Sequence, residues 1–362
     1  MQKQGLTSLA LQKFKRSFWG IFSFWFIVLV AFISVFAYVL APDSSQYANQ
    51  MHLSIHSKSP GFSVQMLVVP NPLNENQHLF NRLFFGDTNP AIEIPVSTHR
   101  FDSNHVYYTE YASERVKGLE KSIKFSLDSG SLLQPFITQK TFFLGTDKYG
   151  RDLLSRILVG ARISFSIGFV AVFISLLIGL FLGSVAGYFG GKWDALIMWV
   201  INVTWSIPTL LLVIAITLAL GKGFWQVFIA VGLTMWVEVA RIVRGQVMSV
   251  KEMQYVTAAR ALGFTDFRII VKHILPNILA PVIVISAANF AAAILIESGL
   301  SFLGIGAQPP MSSWGAMIKD HYNYIILGKP YLALIPGICI MSLVMAFMII
   351  GNSLRDALDV KA

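Results

Sequence analysis

Residue types that commonly perform catalysis are scattered along this chain of 362 residues. The stretch Gly187–Lys192 resembles a phosphate-binding loop, but Ala186 and Trp193 stand where that loop requires a glycine and a hydroxyl residue. His52 and His56 have the i,i+4 spacing that puts two metal ligands on one helix face. The residues around them are typical of strands, however, so we predict no metal site. We also find no nucleophile–base spacing, and therefore expect no enzymatic activity and no cofactor in this chain.

The charged segment Arg241–Ile274 has the chemistry of a docking element. Its first part, Glu252–Leu262, has helical periodicity, with Tyr255, Ala259 and Leu262 on one face. Alanines at positions 258, 259 and 261 would let the surface of another protein approach the backbone closely. We therefore predict that a partner protein docks here, with a solvated connecting loop as the alternative.

A turn and a second helix follow in the same segment. Gly263 stands where the end of a helix favours a positive φ angle. Thr265 and Asp266 are residues that cap helices, so we predict a second helix at Phe267–Leu275, with Thr265-Asp266 providing its N-cap. Pro276 then marks the point at which this helix meets the next apolar run, and the two helices would act as a lever.

A second polar cluster precedes a long apolar run. Its members are Gly145, Thr146, Asp147, Gly150, Arg151 and Asp152. In the following stretch Leu153, Leu154, Ile157 and Leu158 could enter the membrane interface while Arg151, Ser155 and Arg156 stay in water, which predicts a helix lying on the membrane. We interpret the cluster as a structural collar; an outer gate or the seat of a binding protein is the alternative.

Polar residues inside the apolar runs are candidates for a transport pathway. Pro208 should bend its helix, and Asn202, Thr204 and Ser206 precede it, where their side chains could bond to the freed backbone or line a pathway. Asn289 and Glu297 are costly in lipid, so we expect them to face protein or water, unless Glu297 lies at the membrane interface.

Composition indicates that these clusters are carried by membrane helices. Hydrophobic residues make up 55% of the chain and charged residues 13%, whereas soluble domains carry about 25% charged residues. The single cysteine, Cys339, excludes an internal disulfide. A bilayer core requires about 20 apolar residues per helix. We predict six crossings: Phe18–Leu40, Ile163–Tyr188, Ala195–Leu220, Phe224–Ala240, Leu275–Ser298 and Tyr331–Gly351.

The distribution of basic residues predicts the orientation. Residues 1–16 contain four basic and no acidic residues, which favours a cytoplasmic N-terminus and a retained signal anchor rather than a cleaved signal peptide. Six crossings return the C-terminus to the cytoplasm. Segment 241–274, with six basic and two acidic residues, is then cytoplasmic as well. Lys148, Arg151, Arg156 and Arg162 oppose this assignment because they fall on the outer side.

Between the first two crossings lies a long polar segment, 41–140, with eight basic and nine acidic residues. Four stretches in it have the composition of strands: Phe62–Val69, Ile92–Val96, His105–Tyr111 and Ser122–Leu127. The predicted fold is therefore an all-α polytopic membrane protein of about six transmembrane helices, with a small β-containing extracytoplasmic insertion between helices 1 and 2. We divide the chain into 1–40, 41–140 and 141–362.

Several stretches in the second half, roughly 142–360, resemble ABC-transporter permeases of the dipeptide, oligopeptide and nickel importer family. The EAA loop of that family has a Glu-Ala-Ala triplet, a glycine and an Ile-x-Leu-Pro ending. Here the triplet is Thr257-Ala258-Ala259 and the ending is His273-Ile274-Leu275-Pro276, with Gly263 between them. Other resembling stretches are LGTDKYGRDLLSRILVGARISF, GYFGGKWDALIMWV, SGLSFLGIGAQPPMSSWGAMI and NSLRDALDV. Thr257, Trp199 and Asn202 depart from the family pattern.

This resemblance implies a permease subunit of an ATP-driven importer in the bacterial inner membrane, which carries peptides or similar small solutes by alternating access. It implies a second homologous permease subunit, two ATP-binding subunits that hold ATP and magnesium, and an extracytoplasmic solute-binding protein. Tyr255, Thr257, Ala258, Ala259, Gly263, Leu275 and Pro276 would form the loop that couples to the ATPase. Two alternatives remain: an ATP-independent secondary transporter, and a membrane-anchored binding or sensor protein that acts through its outer segment.

Overall fold

The structure of the protein is a computed structural model that describes residues 6–71, 78–102, 105–112, 118–124, 135–221 and 223–358. Within these ranges the helices, in chain order, are α1 Leu6–Arg16, α2 Phe18–Val35, α3 Ala37–Leu40, α4 Leu79–Phe85, α5 Leu153–Phe189, α6 Gly191–Trp205, α7 Thr209–Leu220, α8 Phe224–Lys251, α9 Gln254–Ala261, α10 Asp266–Ile269, α11 Leu275–Phe302, α12 Trp314–His321 and α13 Tyr331–Leu358. The strands are β1 Phe62–Val69, β2 Ile92–Phe101, β3 His105–Glu110, β4 Glu120–Lys124 and β5 Phe136–Phe142.

Five helical stretches in the described part of the chain are long and apolar enough to cross a membrane. They are Phe18–Val35, Leu153–Phe189, Phe224–Lys251, Asp266–Phe302 and Tyr331–Leu358. A sixth crossing requires α6 and α7 to count as one span, since they meet at an angle of 93°. The protein is therefore a multi-pass membrane protein with five or six membrane helices.

The third predicted crossing, Ala195–Leu220, is not one continuous helix. Helix α6 ends at Trp205, and α7 begins at Thr209 with Pro208 as its N-cap residue. Proline restricts the residue before it to extended conformations and cannot donate a backbone hydrogen bond. The predicted bend at Pro208 is thus present, but it is a break rather than a kink.

The polar segment after α3 contains a five-stranded antiparallel sheet in the order β4-β3-β2-β1-β5. Apolar residues line both of its faces: Val64, Met66 and Phe142 belong to one buried cluster, and Leu67 and Val106 to another. Such two-sided burial explains why the strands contain consecutive apolar residues. The small β-containing region was predicted correctly, whereas β5 and α4 were missed.

The chain forms two compact units. The first comprises residues 1–30, 164–308 and 338–362, and the second comprises residues 31–163 and 309–337. The predicted insertion, 41–140, lies within the second unit together with the polar cluster at 145–152. Of the predicted strand Ser122–Leu127, residues 125–127 lie outside the described residues.

In the first unit, helices α5 and α8 approach each other very closely. Gly179, Gly183 and Gly187 lie one above the other on α5. A Cβ atom added at these positions would lie 2.5 Å from Val239, 2.6 Å from the Ala240 carbonyl oxygen and 2.8 Å from the Arg244 carbonyl oxygen. Small residues at this spacing let two membrane helices come into backbone contact.

Candidate functional site

The segment between α8 and α11, residues 252–274, is hereafter called the connector. Its first helix, α9, ends in a Schellman arrangement, in which Gly263 N–H donates to the Arg260 carbonyl at 3.0 Å and Phe264 N–H donates to the Ala259 carbonyl at 3.2 Å. Gly263 has a φ angle of 77°, as the sequence predicted, and an added Cβ would meet no other atom. A side chain here would therefore strain the backbone without a steric clash.

Two anchors hold the connector to the rest of the first unit. The side chains of Val256 and Ala259 are buried in a cluster with Ile269 and with Val243 and Val247 of α8. At the other anchor, the hydroxyl of Tyr188, at the end of α5, donates to a carboxylate oxygen of Asp266 at 2.6 Å. The connector is thus bound to both α5 and α8.

The outward surface of the connector carries five exposed apolar or aromatic side chains, at positions 253, 255, 262, 267 and 271. Leu262 is 74% exposed and Phe267 is 77% exposed, and Tyr255 is also exposed. Thr257 and Ala258 are exposed beside them. Ala259, which the helical periodicity placed with Tyr255 and Leu262, is buried instead because it packs against the protein's own core.

The predicted second helix of the connector differs from expectation in two ways. It begins at Asp266, one residue earlier than predicted, and the Thr265 side chain makes no capping hydrogen bond. It also does not stop at Leu275, since a π-helical turn at Ile270–Ile274 joins α10 to α11 in one stretch, Asp266–Phe302. Pro276 lies in the first turn of α11. The wider π turn accommodates this proline, whose ring would clash with a carbonyl in a regular helix.

In the second unit, the buried residues Asp147, Arg151 and Arg156 and the half-buried Asn49 form a cluster that we call the polar hub. Asp147 Oδ2 accepts a hydrogen bond from Arg151 Nε at 2.7 Å and lies 3.7 Å from Arg156 Nε. Arg151 Nη1 donates to Asn49 Oδ1 at 2.9 Å. The sequence suggested that Arg151, Ser155 and Arg156 stay in water; that prediction is wrong, because all three side chains are buried.

Thr146, Gly150 and Asp152 of the predicted collar make close contacts near the polar hub. Thr146 donates to the Ile55 carbonyl at 2.5 Å, and Gly150 lies so close to His52 that an added Cβ would be 1.8 Å from its carbonyl oxygen. Asp152 caps α5, since its Oδ2 accepts from Ser155 N–H at 2.9 Å. Burial raises the pKa of the Asp152 carboxyl above its usual range, although the bonds from Ser155 act in the opposite direction. No separate helix lies on the membrane here, because residues 153–162 form the first turns of α5.

Comparisons with known proteins agree with this architecture. The family model described as "Binding-protein-dependent transport system inner membrane component" matches residues 175–361, which include the connector. This chain belongs to that family, the permease subunits of ABC importers. The dipeptide transport system permease DppC of Alkalihalophilus pseudofirmus is 43% identical to this chain over 219 residues. The matched region covers 60% of this chain and 72% of DppC. The oligopeptide transport system permease OppC of Haemophilus influenzae is also 43% identical, over 60% of this chain and 70% of OppC.

A solved structure of the MetNI methionine ABC transporter resembles the permease with a TM-score of 0.47 and 18% identity, covering 56% of the permease and 95% of that chain. This likeness is too distant to inform the roles of individual residues.

Most of the predicted pathway residues of the permease lie around the break between α6 and α7. Thr204 and Ser206 donate their hydroxyls to the carbonyls of Val200 and Val203, at 2.9 and 2.7 Å. These bonds satisfy backbone groups near the break, as the sequence suggested. Asn202 accepts a hydrogen bond from Arg241 at 3.1 Å. A pathway role for these residues and for Pro208 stays a prediction.

Asn289 of the permease lies in a different environment from the residues near the break. It is buried within α11, 2% exposed, and its Nδ2 atom has no hydrogen-bond partner among the described residues. Glu297 is fully buried on the same helix and accepts from the Ser301 hydroxyl at 2.6 Å. Glu297 therefore faces protein rather than the membrane interface.

Two polar contacts near the connector were missed by sequence reasoning. One is the Tyr188–Asp266 bond; the other joins Arg244 of α8 to Asp194 of α6 through two hydrogen bonds of 2.5 and 2.6 Å. The four-residue spacing of the glycines on α5 could have indicated its close contact with a second helix. No pattern in the sequence indicates the partners of Tyr188 and Asp194, because these partners lie 78 and 50 positions away in the chain.

Proposed function

We propose that this permease subunit carries short peptides or similar small solutes across the membrane by alternating access, with ATP hydrolysed by separate subunits. The connector would receive the movement of an ATP-binding subunit. A second homologous permease chain and an extracytoplasmic solute-binding protein would complete the transporter. ATP and magnesium would belong to the ATP-binding subunits alone.

The surface of the connector is the observation that carries this proposal. Large apolar side chains exposed outside the lipid are typical of sites for protein partners, and Leu262 and Phe267 are the most exposed of the connector. Thr257 and Ala258 beside them leave room for a close approach. The buried side chains of Val256 and Ala259 support the same face from within.

Contacts of the connector support its role as a lever. A push on the connector would reach α11 through the uninterrupted helix Asp266–Phe302 and α5 through the bond between Tyr188 and Asp266. The close contact between α5 and α8 would then carry the movement across the first unit. A partner shifts the equilibrium between two permease states only if it binds the connector differently in each.

The proposed orientation puts both termini and the connector in the cytoplasm. Two of the four positive charges that opposed this assignment are compensated by carboxylates in the structure. Arg151 and Arg156 both face the buried carboxylate of Asp147, and Lys148 pairs with Asp320 at 3.0 Å. Because half of their charge is compensated within the fold, these four residues should weigh less in the orientation than the basic residues of the connector.

Peptides are the proposed solutes because two relatives are named for dipeptide and oligopeptide transport. Residues near the break between α6 and α7, and Asn289, are proposed to line the route. The collar around Asp147 is proposed as a structural element rather than as a moving gate, since its charged side chains are buried and bonded.

The decisive experiment measures uptake of a labelled dipeptide by proteoliposomes that contain the whole transporter, with and without ATP. We expect uptake to require ATP and to be lost in the Gly263→Val variant, because valine strains the turn that presents the connector surface. Gly221→Val is the matched control: Gly221 has a φ angle of 91° and also no atom near an added Cβ, but it lies at the end of α7. Normal uptake by Gly263→Val would refute the lever.

A second variant separates docking from folding. Leu262→Asp changes only an exposed side chain, so the permease should insert normally but recover less of the ATP-binding subunits in a mild-detergent pull-down. Uptake that persists in ATP-depleted vesicles would support the secondary transporter instead. Solute binding without any uptake would support the sensor protein.

A further inference from the structure

A cavity of the second unit lies between α3 and α4 and takes no part in the proposed transport cycle. It has a volume of about 630 Å³. Its lining consists mainly of apolar side chains, among them Val39, Phe80 and Leu83, with the Arg82 side chain and Ser44 as polar members. Its chemistry is therefore that of an amphipathic molecule rather than of a polar solute.

The position of the cavity along the chain places it at a boundary between membrane and water. Helix α3 directly follows the membrane helix α2, and Tyr38 and Val39 of α3 line the cavity. On α5, the uncharged run that can enter lipid begins at Ile163, immediately after Arg162. Tyrosine and arginine are enriched at this depth, where phospholipid headgroups lie.

One guanidinium group lines the cavity, and a second lies over the ring of Tyr38, which is itself part of the lining. Arg82 lines it and makes no ion pair with any described residue. The guanidinium of Arg162 lies 5.5 Å from the ring centre of Tyr38 and 5.7 Å from that of Phe84. Its Nη1 atom is buried and has no hydrogen-bond partner in the described part of the chain. Guanidinium groups bind phosphate through paired hydrogen bonds.

Helix α4 is held in place although its apolar side chains are exposed. Backbone bonds fix its C-terminal end, since Asp87 N–H donates to the Ser44 carbonyl at 2.8 Å and Gln46 N–H donates to the Asp87 carbonyl at 3.0 Å. Phe80 and Phe85 nevertheless remain more than half exposed. A fixed helix that presents phenylalanines beside a membrane helix is suited to contact with lipid acyl chains.

We propose that the cavity between α3 and α4 binds one anionic glycerophospholipid. Its phosphate binds Arg82 of the lining, with Arg162 as a second positive charge behind the Tyr38 ring, and an acyl chain runs along Val39, Phe80 and Leu83. Two cations without a carboxylate partner favour a lipid of net negative charge over a zwitterionic one. The cavity is thus a lipid site that anchors the base of the β-containing unit to the membrane surface.

Native mass spectrometry of the detergent-solubilised transporter tests the site, with titration of phosphatidylglycerol and, separately, phosphatidylethanolamine. We expect one molecule of phosphatidylglycerol to bind at least about tenfold more tightly to the wild type than to Arg82→Gln, since a bond to a charged group is lost. Arg100→Gln, at an exposed arginine of β2, is the matched control and should bind as the wild type does.

Leu83→Trp provides a second test that leaves both charges in place. It fills the cavity, so lipid binding should fall while the melting temperature of the transporter stays within a few degrees. Equal affinity for the two lipids, or unchanged binding in both Arg82→Gln and Leu83→Trp, would overturn the proposal. Displacement of the lipid by glycerol phosphate at equal concentration would also overturn it, in favour of a site for a soluble anion.

Discussion

The connector and the polar hub use similar residues in opposite ways. Each has an aspartate, at least one arginine and a glycine with positive φ, which is Gly150 next to the hub and Gly263 in the connector. In the hub, the Asp147 and Arg151 side chains are almost completely shielded from water. In the connector, Asp266 and Arg260 are exposed, and the largest apolar side chains face outward.

This difference separates a fixed part of the molecule from a part that is suited to transmit force. Breaking a buried ion pair leaves an uncompensated charge and is strongly unfavourable, so the hub has one arrangement. Exposed charges such as Asp266 and Arg260 lose little when a contact changes, because water solvates each of them. The connector can therefore change its contacts at small cost, while its two anchors keep it attached to α5 and α8.

The largest expected effect comes from Asp147→Asn. This change preserves the shape of the side chain but leaves the buried guanidinium groups of Arg151 and Arg156 without a counter-charge. We expect a loss of ~3–5 kcal/mol in folding stability, measured as a lower melting temperature and poor recovery from the membrane. Asp320→Asn is the control, because the Lys148–Asp320 pair is partly exposed and should contribute less than ~1 kcal/mol. Equal effects of the two variants would show that burial of the hub adds nothing to the strength of its ion pairs.

A pH titration tests how much a buried titratable side chain of the second unit contributes to stability. Burial, followed by the positive charge of Lys140, lowers the pKa of His52 from 6.5 to about 4. Glu93 lies 4.0 Å from the imidazole but is itself bound to Lys140, so it does not reverse this shift. The unfolded chain binds a proton that the folded one does not, and folding stability therefore falls as the pH drops from 6.5 toward 4.

For His52 the loss at pH 4 should reach at most ~3 kcal/mol. The measurement is the melting temperature of the transporter between pH 7.5 and pH 4, compared with His52→Gln. The variant should show a flatter pH dependence in this window. An identical slope in both proteins would exclude His52 as its source.

A smaller effect on stability is expected for Tyr188→Phe, which removes the hydroxyl that donates to Asp266. A hydrogen bond to a charged group contributes about 1.5–3 kcal/mol, and less here because Asp266 is exposed. We expect a small decrease in melting temperature but a clear loss of transport per ATP hydrolysed, since α5 no longer follows the connector. Tyr107→Phe, at an exposed tyrosine of β3 in the second unit, should leave that ratio unchanged. If Tyr188→Phe keeps the wild-type ratio, the bond has no role in coupling.

Sequence reasoning predicted the local features of both regions. Helical periodicity located α9 to within two residues at its N-terminus, and Gly263 marked its end because positive φ is a property of the residue itself. The apolar runs predicted the membrane helices since a bilayer demands about 20 apolar residues whatever the fold. Strand β1 was predicted from Phe62 to Val69, as observed. Strand β5, Phe136–Phe142, was missed because its four consecutive polar residues, Thr138–Thr141, interrupt any apolar alternation.

Burial of polar residues and the partners of charged ones were decided by the tertiary structure alone. Amphipathic spacing placed Arg151 and Arg156 in water, but the fold brings Asn49 and Asp147 around them. The same periodicity put Ala259 on the outer face of α9, where the core instead covers it. The sequence by itself determined where the chain crosses lipid and where it turns, because these depend on neighbouring residues. Only the folded molecule decided which charges pair and which faces stay exposed, because those contacts join residues far apart in the chain.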